Sequence, residues 1–163
     1  MQIILGVLTE GLVYAILSLG VYITYKILDF PDLSVDGTFP LGAAVTVAMI
    51  LMGAPIPLAM LVATLAGVIF GAITGIIHVK FKIRDLISGI VVMTALYSVN
   101  LRIAGKANVP LFSKQTLFEN DFLGKIFPEG MRPYSNLIIL IIIVITAKLL
   151  LDFYLKTKSG FLL

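Results

Sequence analysis

Long apolar runs dominate the chain, broken by short stretches that are polar or rich in proline and glycine. A helix needs roughly 20 residues to cross the hydrocarbon core at about 1.5 Å rise per residue. Four runs reach that length, at about 3–25, 57–79, 85–104 and 134–155. Another, at 41–52, is short for a complete crossing unless it begins nearer Asp36. The pattern predicts an all-α integral membrane protein with about five transmembrane helices, one of them short or broken, in a single transmembrane domain over residues 1–163.

The interruption from Lys26 to Pro40 holds Asp29, Asp32 and Asp36 together with Pro31, Pro40 and Gly37. It cannot be a regular lipid-facing helix, because proline removes backbone donors and lipid satisfies none of the groups left over. Nor can the three carboxylates rest in hydrocarbon as charges. Leu33, Val35 and Phe39 are apolar enough to bury. The segment is therefore expected to bend into the protein interior, with Ser34, Asp36 and Thr38 facing a solute path. Short, interrupted spans beside polar backbone serve that purpose in transporters. The plain alternative is a cytoplasmic loop in which water hydrates all three carboxylates.

Polar residues inside the longer runs offer further candidates. Glu10, Tyr14 and Ser18 recur every four residues and share one face of the first helix. An ionisable group at a span's centre costs about 2.5–3.5 kcal/mol on insertion scales, so such groups face protein, water or an interface. Thr94, Tyr97, Ser98 and Asn100 make the fourth run more polar than the others, for interhelical hydrogen bonds or, at Thr94, Tyr97 and Asn100, for a path. Ala63, Gly67, Gly71 and Gly75 align small residues on one face of the third run, a ridge suited to close packing against another helix.

Composition fits this picture. Of the 163 residues 60% are hydrophobic and 13% charged, against about a quarter charged in soluble domains. The net charge of +3 is spread between apolar runs, so it reads as a topology signal and not as a nucleic-acid surface. Lys80, Lys82 and Arg84 crowd one short loop, which places that loop in the cytoplasm, the amino terminus outside, and residues 105–133 as an external connection. The chain has no cysteine, which excludes disulfides and thiolate metal sites. His78 stands beside three cations at a membrane edge with no second ligand near it in sequence. With no nucleophile–base pair, phosphate-binding glycine loop or paired carboxylates, neither enzymatic chemistry nor a metal or cofactor is expected.

Residues 6–20, GVLTEGLVYAILSLG, and the following Asp32-Leu-Ser-Val-Asp-Gly37 resemble a known family: the permease subunits of bacterial ABC importers of the branched-chain amino acid and ribose type. The first segment is similar to the family's opening helix. The second is similar to its Asp-Leu-Ser-Val-Gly element, with Asp36 inserted before Gly37. Gly105-Lys-Ala-Asn-Val-Pro-Leu111 resembles an external segment, and Lys158-Ser-Gly-Phe-Leu-Leu163 the approach to the coupling helix. The resemblance implies uptake of amino acids or related small solutes across the bacterial inner membrane. It also implies an ABC ATPase on the cytoplasmic side, an extracytoplasmic solute-binding protein, and a second permease copy within the lipid bilayer. Family members are far longer, so this chain is expected to be the amino-terminal portion of a permease. Rival expectations are the substrate-capturing membrane subunit of a vitamin importer and a non-transporting assembly protein.

Overall fold

Five α-helices run through the described part of the computed structural model, which comprises residues 2–27, 29–106, 108, 109, 111 and 132–157. Helix α1 (Gln2–Tyr22) passes into a π-helical turn, Ile23–Ile27. Helices α2 (Val35–Leu51), α3 (Ile56–Phe81), α4 (Asp85–Ala104) and α5 (Arg132–Leu155) follow. Four apolar stretches are long enough to cross a membrane: Ile3–Ile27, Ile56–Phe81, Asp85–Ala104 and Tyr134–Leu155. At 17 residues α2 is shorter, about 25 Å against a hydrocarbon core of about 30 Å. Large apolar side chains such as Val68 (63% exposed), Ile69 and Leu150 stand outward, which suits lipid and not water. The expected external connection lies mostly outside the described residues, as does Lys158–Leu163.

The chain divides into two compact units, one formed by 1–29 with 117–163 and the other by 30–116. In the first, α1 packs along α5, and Ser135 and Leu140 of α5 are buried. Hydroxyl groups within the helices turn back on their own carbonyls: Thr9 donates to Leu5 O at 2.7 Å and Thr146 to Ile142 O at 2.7 Å. Each hydroxyl is thereby satisfied where lipid offers no partner.

The second unit is a three-helix layer, with α2 packed on both α3 and α4. Its core is Leu41, Val92 and Leu96, flanked by Val45, Ala66, Phe70, Ile77 and Val99. Gly89 lies against Leu33 and Ser34, while Gly37 lies against Met93 and Leu96. Ascending numbers on both helices show that α2 and α4 run parallel. Short turns join α3 to each, so α3 runs opposite to both. Gly53, at φ +86°, makes the first of these turns in a backbone conformation that glycine adopts without strain.

Proline 40 sits inside α2 and does not break it. Of the two starts the apolar pattern allowed, the helix takes the earlier one, near Asp36. The Asp32 carboxylate accepts from the Ser34 N–H at 2.8 Å, and the Ser34 carbonyl then accepts from Gly37 and Thr38, both at 2.9 Å. These bonds nucleate the helix a full turn ahead of Pro40, so proline costs α2 the one bond that would run to the Asp36 carbonyl. Helix α4 starts at Asp85, whose carboxylate accepts from Leu86 N–H at 2.9 Å. His78 is more than interfacial: its Nδ1–H donates to the Ile83 carbonyl at 2.9 Å, and Phe30 meets its ring edge-on at 5.0 Å. The imidazole thus closes the α3–α4 turn, where Lys82 takes a left-handed φ of +53°.

Candidate solute groove

A groove of about 760 Å³ opens between α2 and α4, wholly within the second unit. Pro40, Ala43, Ala44, Val47 and Met93 form its apolar walls. Polar groups come from Asp36 near the start of α2, from Thr94, Tyr97 and Asn100 along α4, and from Lys106 just past the end of α4. The volume and the mix of apolar wall with a few polar groups are those of a small-molecule site.

Asn100 ties the two helices together. Its Nδ2 donates to the Gly37 carbonyl at 3.0 Å, a bond between residues 63 apart in sequence. The approach depends on Gly37 having no side chain, since a Cβ there would stand 3.0 Å from Met93 Cα and 3.1 Å from Leu96 Cβ. The Asn100 Oδ1 is buried and accepts no hydrogen bond. Thr94 spends its hydroxyl hydrogen on the Ile90 carbonyl at 2.7 Å. The Asp36, Gly37 and Thr38 amides at the start of α2 are likewise engaged, the first by the Leu33 carbonyl and the other two by that of Ser34.

Four of the residues singled out for a path therefore meet in one place: Asp36, Thr94, Tyr97 and Asn100 line the groove. Ser34 and Thr38 do not line it. Ser34 is 1% exposed and lies with its backbone against Gly89. Thr38 Oγ1 donates to the Val35 carbonyl. Glu10, Tyr14 and Ser18 belong to the other unit, where the Ser18 hydroxyl donates to the Tyr14 carbonyl at 2.9 Å. At Gly67, Gly71 and Gly75 a Cβ would meet nothing within 4 Å, so neither α2 nor α4 packs closely on that ridge. Sequence reasoning did not anticipate the parts played by Gly37, Gly89, Met93 and Lys106. The two glycines were the available signal, since glycine inside an apolar helix marks close backbone approach. No group of three or more His, Cys, Asp or Glu suited to a metal ion occurs among the described residues.

Long apolar helices with outward hydrophobic faces, packed around a groove of mixed polarity, define a multi-pass membrane protein of the solute-permease class. The chain belongs to the family described as the branched-chain amino acid transport system / permease component, whose model matches residues 3–163. It is 46% identical over 160 residues to a tyrosine transport system permease protein of Clostridioides difficile (strain R20291), covering 98% of this chain and 50% of that one. An uncharacterized protein of Rickettsia prowazekii (strain Madrid E) is 40% identical over 117 residues, 72% of this chain and 41% of its own. A ribose import permease protein of Haemophilus influenzae (strain ATCC 51907 / DSM 11121 / KW20 / Rd) is 33% identical over 98 residues, 60% of this chain and 30% of its own. The chain thus spans half the length of the tyrosine permease and less of the other two. No solved structure matches it.

Proposed function

We propose that the chain forms part of the membrane-spanning permease of an ATP-driven importer, carrying an amino acid across the bacterial cytoplasmic membrane beside the α2–α4 groove. The observation that carries this reading is the convergence of Asp36, Thr94, Tyr97 and Asn100 on one groove, in a chain of the permease family. Polar groups held within a bundle of apolar helices are costly, and they mark solute pathways. The similarity to a tyrosine transport permease makes L-tyrosine the first solute to try, and Tyr97 offers an aromatic face to such a ring. The reading brings with it an ABC ATPase on the cytoplasmic side, a solute-binding protein outside, a second permease copy, and an amino terminus outside the cell.

The test is reconstitution of the complete permease with its ATPase and binding protein in liposomes, followed by uptake of labelled L-tyrosine. ATP-dependent accumulation supports the reading. Absence of uptake for L-tyrosine and for the other common amino acids refutes it.

A further inference from the structure

The geometry points to Asn100 as a selectivity residue that recognises the ammonium group of the solute, trading its bond to Gly37 for bonds to that group. This rests on the groove being the solute site of an amino acid permease, as proposed above. Its basis is the balance of donors and acceptors in the groove.

The polar atoms beside the start of α2 are predominantly acceptors. Asp36 contributes a carboxylate, and its backbone carbonyl lacks the helical N–H that Pro40 cannot supply. The Thr94 oxygen keeps its lone pairs after donating to Ile90. Asn100 Oδ1 is an acceptor with no donor. The Asp36, Gly37 and Thr38 amides at the start of α2, donors that would draw an anion here, are spent on the Leu33 and Ser34 carbonyls. A carboxylate therefore finds repulsion at this end, and its counter-charge, Lys106, lies past the far end of α4. A primary ammonium, with three N–H donors and no acceptor, is the complement of such a wall.

Asn100 Oδ1 is covered, so a solute reaches it when the amide turns about χ2. That turn releases Nδ2 from Gly37 and frees the Gly37 carbonyl as well. An ammonium then takes the place of Nδ2 and bonds Gly37 O, Asn100 Oδ1 and the Asp36 carboxylate. The buried, unpartnered oxygen favours the exchange, since an acceptor left unsatisfied away from water is costly. A des-amino analogue offers nothing in return.

Residues 1–163 hold no cysteine, so Ala43→Cys on the groove wall, in a complete permease whose cysteines elsewhere are replaced by serine, gives one maleimide target. In the complete reconstituted permease, protection of that cysteine is measured with L-tyrosine, tyramine and 3-(4-hydroxyphenyl)propionate. L-tyrosine and tyramine are expected to protect at concentrations about tenfold or more below the des-amino acid, the worth of one charge-assisted hydrogen bond. Asn100→Leu keeps the volume and removes both amide groups, and it should reduce that ratio, with Asp36 and the Gly37 carbonyl left to hold the remainder. Asn100→Asp, which adds a charged acceptor, should increase the preference for tyramine and serves if the leucine variant does not fold. A role confined to tying α2 to α4 would lower thermal stability and leave the ratio untouched, which overturns the inference. So does equal protection by the des-amino acid in the unmodified groove. Uptake of L-tyrosine in the same liposomes separates the two readings: its absence removes the proposed function, whereas its presence with an unchanged ratio removes the role of Asn100 alone.

Discussion

Gly89 on α4 lies so near the chain leading into α2 that a Cβ at position 89 would stand 2.7 Å from the Leu33 nitrogen. The same atom would stand 3.2 Å from the Asp32 carboxylate oxygen, which accepts from Ser34 and starts α2. Two elements remote in sequence are thus joined backbone to backbone, at the point where the broken segment becomes a helix. The close approach admits no methyl group.

Gly89→Ala should therefore lower stability by about 1–3 kcal/mol, the usual cost of overpacking a closely fitted site. Gly37→Ala should act in the same direction, with Met93 Cα at 3.0 Å. Gly71→Ala is the control. Its Cβ meets nothing within 4 Å, and alanine in a helix interior gains roughly 0.5–1 kcal/mol over glycine. Thermal melts in detergent should order the three variants with Gly71→Ala highest. A Gly89→Ala melt equal to that of Gly71→Ala would mean that α2 does not rest on α4 in this way.

The contrast among these glycines also marks how far the sequence could be read. Apolar run length gave the helices, because bilayer thickness sets how many residues a span needs. The spacing of Ala63, Gly67, Gly71 and Gly75 suggested a packed ridge, yet within the second unit the tight contacts are carried by the isolated Gly37 and Gly89 and not by Gly67, Gly71 or Gly75. Periodicity reports which residues share a face and says nothing of what that face meets. The Asn100–Gly37 bond spans 63 residues and depends on the relative placement of two helices, for which no local pattern exists. Likewise Ser34 and Asp36 look alike as polar residues of one segment, and the turn made by Asp32 sends one into the interior and the other to the groove.

Because α2 and α4 run parallel with α3 opposed, the turn at 52–55 and residues 105–106 must lie on one side of the membrane, and 82–84 on the other. On the proposed orientation, with the amino terminus outside, the second side carries Lys80, Lys82 and Arg84 and faces the cytoplasm. Alkaline-phosphatase fusions should be active after residues 53 and 106 and silent after 82. Activity at 82 with silence at 53 would invert the assignment, and activity at both would contradict the helix directions themselves.

Asp32 should matter as a hydrogen-bond acceptor more than as a charge. Its oxygen accepts from the Ser34 N–H at 2.8 Å, a role that the amide oxygen of asparagine can fill. Asp32→Ala is expected to cost about 0.5–2 kcal/mol, the range for losing a helix-capping acceptor. Asp32→Asn should recover most of it. Melting temperatures of the two variants, compared with the unmodified permease, decide the matter. Equal losses in both would assign the effect to charge.

Asp36 and Ser34, two residues apart, should separate cleanly in function. Asp36 is exposed and lines the groove, and on the proposal above its carboxylate meets the solute's ammonium. Ser34 is 1% exposed, does not line the groove, and holds the first turn of α2 through its carbonyl. In the complete permease reconstituted with its ATPase and binding protein, Asp36→Asn should reduce L-tyrosine uptake about tenfold or more with little change in melting temperature, as expected for loss of a charge-assisted bond. Ser34→Ala keeps the backbone and should leave uptake per folded molecule near that of the unmodified protein. A cysteine at 36 should react with a membrane-impermeant maleimide and be shielded by saturating L-tyrosine, whereas one at 34 should stay unlabelled. Uptake unchanged in Asp36→Asn, together with labelling at 36 that L-tyrosine does not affect, would return the segment to an ordinary hydrated loop.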